Sequence, residues 1–385
     1  MDMPKTMTVS DAEAMLQTVA SIATNEMRVP TQGKHLHAGG EAAMVQAHIS
    51  WARDRDQTRL KTWIVDEADA DGQIRSLSRQ FFGLSAILLS NEILDRSGRN
   101  ITAQVREIGF ERLRQLQSER PRSASRGPQY EIICADHLDE GSPRLLYSFN
   151  DEGEAILKGN SAFETIADQI IHTILPTRLM AGLDYGFKSS LGAALYELFR
   201  NTDEHARVDD KRLRLRRSLR GIQARLHSIS PATLTGIVAQ SPPLASFTKR
   251  LKPSHPNAAQ IQLIEVSVID SGPGLGPAHS GYSLDQLSRG DEFIAVKACF
   301  AKHATRKNSS TAGLGLPNLI DILRERGGFL RVRTGRQALF ADLSLEADRT
   351  YDDLPELNHW FGNQQSAAPA LGTLMTFLLP LSRLP

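Results

Sequence analysis

The sequence predicts a protein of the α/β class that is built from two regions, residues 1–155 and 156–385. Helix-like and strand-like hydrophobic patterns follow one another along the chain. Its 385 residues are enough for two domains and a sizeable core. The patterning changes from about residue 161, which places the boundary between the two regions near residue 155.

The first region has predicted secondary structure but no chemical signature. We expect helices and strands, in chain order, at 9–25 (helix), 58–66 (strand), 72–91 and 101–119 (helices), and 130–135 and 144–149 (strands). This region contains neither an internal repeat nor a catalytic motif. Its sequence therefore predicts an α/β fold without predicting a function.

Composition excludes several classes of protein. The net charge of +1 provides no overall field toward a membrane surface, and two cysteines are too few for a disulfide framework. The N-terminus is polar and the apolar runs are short, so we expect a cytoplasmic protein without a membrane segment. The basic stretch 207–220 favours a solvated sheet edge. A nucleic-acid patch there is the alternative, and the missing aromatics disfavour it.

The second region is organised around a helix predicted over residues 187–206. Glu197, Asn201 and His205 recur at every fourth position, so they share one narrow face of that helix. An apolar stripe lies beside this face and would seat the helix in a core; it consists of Leu191, Ala194, Leu195 and Leu198. The polar face is either an ordinary solvated surface or one wall of a site.

A strand predicted over residues 261–269 runs directly into Asp270-Ser-Gly-Pro-Gly274. Asp270 therefore stands at the edge of a sheet, where it could accept a hydrogen bond from an exocyclic amine such as the adenine N6 group. Gly272 and Gly274 would let the backbone turn sharply and approach a flat ligand closely. An ordinary loop turn explains the same short motif equally well.

A second glycine turn, Gly313-Leu-Gly315, precedes a helix predicted over about 317–326, with Pro317 in its first turn. Free backbone N–H groups at a helix N-terminus bind phosphate oxygens. The run before it is polar and basic and includes Lys302, so it could close over a triphosphate as a lid. An exposed loop is the alternative.

Taken in order, these motifs resemble the N box and the three glycine boxes of the GHKL superfamily. The matching residues are Glu197-x3-Asn201, Asp270-x-Gly-x-Gly274, Gly313-x-Gly315 and Gly372-Thr373. That superfamily includes gyrase-type ATPases and histidine kinases, which share the Bergerat fold. The resemblance implies a two-layer α+β sandwich over about 160–385, with a mixed sheet packed on helices. It also implies ATP and Mg²⁺ as ligands.

The resemblance also implies a role for each matched residue. Asn201 would ligate Mg²⁺, and Asp270 would hold adenine, with Thr373 bound to the base through a shared water. The phosphate end would be lined by Gly313, Gly315 and Leu316. Glu197 matches the general base of the hydrolysing members. His205 would contact phosphate, or would serve only to cap or pack the helix.

Three functions follow from this resemblance. The first is a Mg-dependent ATPase or ATP-driven switch whose N-terminal region binds an unknown protein partner or drives homodimer formation. Analogy with such ATPases suggests signalling, stress response or defence. The second is an autophosphorylating histidine kinase or a protein serine kinase. The His-Asp/Glu-x-x-x-Pro phosphoacceptor motif of histidine kinases is absent. The third is a nucleotide-gated binding module without hydrolysis.

Overall fold

The structure is a computed structural model of the 385-residue chain. It describes residues 1–65, 69–117, 129–138, 141–230, 241–251, 260–301, 315–346, 348–349, 353–362 and 367–381, with the backbone alone for 34–36. The described residues form helices and sheets packed on one another, which confirms the predicted α/β class.

The first region contains short strands and longer helices. Its elements are β1 (Thr6–Met7), α1 (Val9–Ser21), β2 (Glu26–Arg28), β3 (Lys34–Leu36), α2 (Gly40–Arg53), β4 (Arg59–Lys61), α3 (Ala70–Ser78), α4 (Phe81–Leu89), β5 (Glu92–Leu94), α5 (Thr102–Gln117), β6 (Gln129–Cys134), β7 (Tyr147–Phe149) and β8 (Ala155–Leu157). Three of these strands form a parallel sheet in the order β2-β4-β5. A parallel sheet fits the helices that connect its strands.

The second region has longer strands. Its elements are α6 (Asn160–Ile174), α7 (Thr177–Met180), α8 (Phe187–His205), β9 (Arg220–Ile229), α9 (Pro242–Arg250), β10 (Ile261–Ile269), α10 (Leu275–Ser280), α11 (Arg289–Ala298), α12 (Gly315–Glu325), β11 (Phe329–Gly335), β12 (Gln337–Asp342), β13 (Asn358–His359) and β14 (Ala370–Pro380). No helix in the described part of the chain combines the length and the apolar character that crossing a membrane requires.

The main sheet has seven strands in the order β13-β12-β11-β14-β10-β9-β6. Every neighbouring pair in it is antiparallel, so the prediction of a mixed sheet is wrong for this sheet. The reason lies in the connections: β11 and β12 form a hairpin, whereas β14 returns from a distant part of the chain to lie between β11 and β10. Strand β6 pairs with β9, so the sheet extends across the predicted boundary at residue 155.

One face of this sheet packs on the helices of the second region. Alternate residues of β10, namely Ile264, Val266 and Val268, join a core with α6, α8 and α12. The stripe predicted for α8 is in this core, since Leu191, Ala194, Leu195 and Leu198 are all buried. The helix therefore lies where its sequence pattern predicts.

The opposite face of the sheet is covered by α1 and α2, so a third layer adds to the two-layer sandwich that was predicted. Ile269 and Leu374 belong to the same core as both helices. Many other side chains on this face are polar yet buried, among them Gln223, Glu265 and Arg333. Gln223 bonds to Glu41 of α2 and Arg333 pairs with Glu13 of α1, while Glu265 accepts from the Gly39 N–H just before α2. The first region therefore completes the fold of the second.

The strongest example is an ion cluster beneath α1. Glu13 lies 2.8 Å from Nε of Arg333 and 3.1 Å from Nη2 of Arg331, and all three side chains are buried. Burial lowers the pKa of Arg331 to about 10, against the opposing influence of Glu13. Buried charges of this kind are tolerated only when they are paired.

Replacing Glu13 with Ala would leave two buried arginines without their carboxylate. Breaking a buried pair in this way costs about 3–5 kcal/mol. We expect urea unfolding of Glu13→Ala to show a loss of that size. The exposed Glu107→Ala on α5 serves as the control and should stay within about 0.5 kcal/mol of wild type. Equal stability of both variants would contradict the role assigned to this cluster.

Candidate functional site

Asp270 follows the last residue of β10 and faces β14. Its Oδ1 accepts hydrogen bonds from the backbone N–H groups of Gly272 at 2.8 Å and Thr373 at 3.1 Å. The Asp270 N–H donates to the Thr373 carbonyl at 2.9 Å. The sheet register, in which Ile269 pairs with Leu374, brings these groups together. The structure thus joins two of the predicted motifs at one sheet edge.

Asp270 is buried, with only 7% of the residue exposed. Burial raises its pKa to about 6, and this outweighs the two backbone hydrogen bonds and the positive charges of Arg220 and Arg53, which favour ionisation. Within the described part of the chain, both hydrogen bonds to the carboxylate end on Oδ1. Oδ2 therefore keeps its capacity to accept a hydrogen bond from a ligand.

The glycines next to Asp270 allow close backbone approach. A Cβ atom at Gly372, where φ is 76°, would lie 1.9 Å from the Asp270 carbonyl oxygen. One at Gly274, where φ is 93°, would lie 2.8 Å from Oγ1 of Thr334. One at Gly272 would lie 2.8 Å from Cα of Ala206, the residue that caps α8. The Asp270 turn is therefore packed against the C-terminal end of α8.

One residue of the predicted polar face of α8, Glu197, lies against the N-terminal end of α12. Glu197 is buried and forms an ion pair with Arg200 at 2.7 Å, and a Cβ atom at Gly315 would lie 2.7 Å from Oε2 of Glu197. Burial raises the pKa of Glu197, while Arg200 and a hydrogen bond with Asn318 lower it. Asn201 is partly buried one turn further along. Glu197 of the first predicted motif and Gly315 of the third are thus in contact.

The remaining predicted residues differ in their surroundings. His205 is exposed in the last turn of α8 and lies 3.8 Å from Glu204. Leu316 is buried in the core with α8, so its side chain packs there. The Thr373 hydroxyl lies 3.4 Å from that of Thr334. Lys302 and Gly313 lie outside the described residues.

Three residues near the site have no counterpart in the sequence prediction. Arg53 of α2 donates from Nη1 to the carbonyls of Ser271 and Gly272, the latter at 2.9 Å. Thr334 accepts a hydrogen bond from the Leu275 N–H at 2.8 Å. Arg200 pairs with Glu197 at a spacing of three residues, a helical signal that was present in the sequence. Arg53 and Thr334 are distant in sequence from their partners, and no local pattern marks them.

A cavity of about 710 Å³ lies elsewhere, between α9 and the β12–β13 edge of the sheet. Arg250, Trp360 and His359 are among its lining residues, and none of the predicted site residues line it. Among the described residues, no group of three His, Cys, Asp or Glu side chains is arranged to hold a metal ion.

No family model, no curated protein and no solved structure matched this chain. The interpretation of the site therefore depends on its own geometry.

The contact at Gly372 generates a direct prediction about the site. A side chain at this position would be unfavourable for two reasons: the positive φ strains a residue with a Cβ atom, and that Cβ would clash with the Asp270 carbonyl. We expect Gly372→Ala to unfold at a lower urea concentration than wild type, with a loss of several kcal/mol.

Gly153 provides a matched control, since its φ is 78° but an added Cβ would meet no described residue within 4 Å apart from its chain neighbours. We expect Gly153→Ala to lose only about 1–2 kcal/mol, the cost of the backbone conformation alone. Equal losses in the two variants would show that the close approach of Gly372 to Asp270 is wrong.

Proposed function

We propose that residues 156–385 form a GHKL-type ATP-binding domain with the Bergerat fold, and that the protein acts as a cytoplasmic Mg-dependent ATPase or ATP-driven switch. The observation that carries the proposal is the buried carboxylate of Asp270. Two backbone N–H groups hold one of its oxygens, and the other oxygen keeps its capacity to accept. A fixed acceptor of this kind at a sheet edge suits an exocyclic amino group of a purine.

The surroundings of Asp270 fit the purine end of the ligand. Gly272 and Gly274 carry no side chain that would cover the base, and the positive φ of Gly274 suits glycine. Thr373 lies beside Asp270, and its hydroxyl would bind the base through a shared water. A carboxylate that accepts a hydrogen bond from an amino group disfavours purines that carry a carbonyl at that position. The carboxylate and the carbonyl are both acceptors, so both would be buried without a hydrogen bond.

The triphosphate would extend from Asp270 along α8 toward the N-terminal end of α12. Contact between Glu197 and Gly315 brings a buried carboxylate and that helix end together. On α8, Asn201 lies between Glu197 and the helix end that packs against the Asp270 turn. In this position its amide oxygen would hold Mg²⁺ together with phosphate oxygens. When bound, Mg²⁺ would neutralise charge that develops on the phosphates. Gly313, Lys302 and His205 would complete this end.

Glu197 has the properties required of a general base for water. Its burial raises its pKa above the ordinary value, and Arg200 holds its orientation. A buried carboxylate near the phosphate end can accept the proton of an attacking water. The N-terminal region would then sense or bind a protein partner and respond to ATP. A histidine or serine kinase and a non-hydrolysing binding module are the alternatives that the experiments below distinguish.

Substituting Asp270 with Asn tests the purine contact. Asn keeps the acceptor for Gly272 and Thr373 but places an amide N–H₂ in the position of Oδ2. Loss of a hydrogen bond to a charged group should weaken ATP binding about 10- to 100-fold, measured by calorimetry. Unchanged affinity would mean that the base binds elsewhere.

The same variant should be more stable than wild type at neutral pH. The folded protein holds the Asp270 proton more tightly than the unfolded chain, whose ordinary pKa is 3.8. The stability that this group contributes is therefore complete below about pH 4 and is lost as pH rises through about 6. We expect Asp270→Asn to gain up to about 3 kcal/mol at pH 7–8 and nothing near pH 4. The exposed Asp285→Asn is the control for both measurements.

Glu197→Gln tests hydrolysis. Glutamine preserves the shape of the side chain but cannot accept a proton, so steady phosphate release should fall about 100- to 10,000-fold while ATP still binds. Glu152→Gln, in the exposed turn between β7 and β8, should release phosphate at the wild-type rate.

Wild-type phosphate release by Glu197→Gln would contradict the general-base role. Stable transfer of the γ-phosphate to a histidine or serine of the chain would favour a kinase instead. Tight ATP binding with neither reaction would favour the binding module.

A further inference from the structure

Helix α2 carries a stripe of polar side chains along one face, although Gly40 to Ala52 are all buried. Gln46, Ser50 and Arg53 are four and three residues apart, which places them on the same side of the helix. A buried helix with such a stripe must satisfy each polar group against its neighbours. We name Gln46, Ser50 and Arg53 the α2 stripe.

Each member of the α2 stripe bonds to the main chain of a different segment of the sheet. Gln46 donates from Nε2 to the Arg333 carbonyl at 2.9 Å. The Leu371 N–H donates to Oγ of Ser50 at 2.9 Å. Arg53 donates to the carbonyls of Ser271 and Gly272. One helix from the first region therefore holds three segments of the second.

These three segments are the ones that position Asp270. Ser271 and Gly272 follow it directly, and the Gly272 N–H bonds to its carboxylate. Leu371 precedes Gly372 and Thr373, and the Thr373 N–H bonds to the same oxygen. Arg333 precedes Thr334, whose hydroxyl lies 3.4 Å from that of Thr373. Side chains of α2 thus contact both turns that hold the carboxylate, while none of the α2 stripe bonds to the carboxylate itself.

The hydrogen bonds of Arg53 hold the turn beside Asp270, and its positive charge in addition favours the ionised form of Asp270. Arg53 and Arg220 are the positive groups whose charge favours ionisation of Asp270. Asp270, Asp209 and Asp210 in turn favour the charged form of Arg53, whose pKa burial lowers. Removal of Arg53 would therefore take away two hydrogen bonds to the turn and one of the charges that lower the pKa of Asp270.

We propose that Arg53, with Ser50, is a positioning residue for the purine, through which the N-terminal region sets the affinity and base preference of the nucleotide site. The proposal rests on the proposed function and adds to it, because it assigns this control to a helix outside the ATP-binding region.

The test compares Arg53→Ala with Arg53→Lys and Arg55→Ala in the full chain. Arg55 is a matched control because it also donates to carbonyls, but these belong to Val19, Ile22 and Thr24 at the end of α1. Calorimetry would measure the affinities for ATP and for GTP from pH 5 to 8, with urea unfolding as the measure of folding.

We expect Arg53→Ala to bind ATP about tenfold more weakly than wild type and to lose much of the preference for ATP over GTP. The pH below which ATP binding fails should move upward. Arg53→Lys keeps the positive charge, so it should restore that pH toward the wild-type value. Arg55→Ala should keep the wild-type base preference and pH profile.

The outcomes separate this inference from the proposed function. If folded Arg53→Ala keeps the wild-type ATP-to-GTP ratio and pH profile, the positioning role is overturned while ATP binding stands. If Arg53→Ala does not fold, the same measurement is made on Ser50→Ala. A reduced ratio of ATP affinity to GTP affinity supports the positioning role, and an unchanged ratio overturns it. Failure of the wild-type protein to bind ATP overturns both proposals.

Discussion

The cost of burying the Asp270 carboxylate is the constraint on which the rest of the site depends. A buried carboxylate must be hydrogen-bonded or paired, and here two backbone N–H groups and two nearby arginines reduce a penalty that still raises its pKa to about 6. Those hydrogen bonds require two strand ends to meet at close range, and this in turn requires glycine at Gly372. The surrounding backbone therefore holds this buried carboxylate in one position, and buried groups with a shifted pKa are found more often at binding sites.

The two faces of the main sheet pack against different surroundings. Its face toward α8 is mainly an apolar core, in which one buried arginine, Arg220, pairs with Asp136 and Asp203. Its face toward α1 and α2 buries several charges and amides. Glu265 shows the character of the second face, since it bonds to the Gly39 N–H at 2.8 Å and to His227 at 2.6 Å. Polar burial of this kind resembles an interface between domains more than an apolar core. It supports a first region that is integral to the folded chain and bonded directly to the proposed site.

The sequence predicted those features that local pattern encodes. The four-residue period of Glu197, Asn201 and His205 and the adjoining apolar stripe predicted α8, and a strand that ends in Asp270 predicted the turn. The antiparallel order of the main sheet and the covering layer of N-terminal helices were missed, because strand direction and burial depend on contacts between distant segments. Arg53 was missed for the same reason: its partners lie more than 200 residues away. Roles inferred from resemblance, such as Mg²⁺ at Asn201, remain predictions.

The most direct test of the central claim is a crystal structure of the protein with Mg²⁺ and a non-hydrolysable ATP analogue. The exocyclic amino group of adenine should donate to Oδ2 of Asp270, and the phosphates should lie along α8 toward Gly315. A nucleotide bound elsewhere on the protein, or an Asp270 side chain that makes no contact with the base, would contradict the claim.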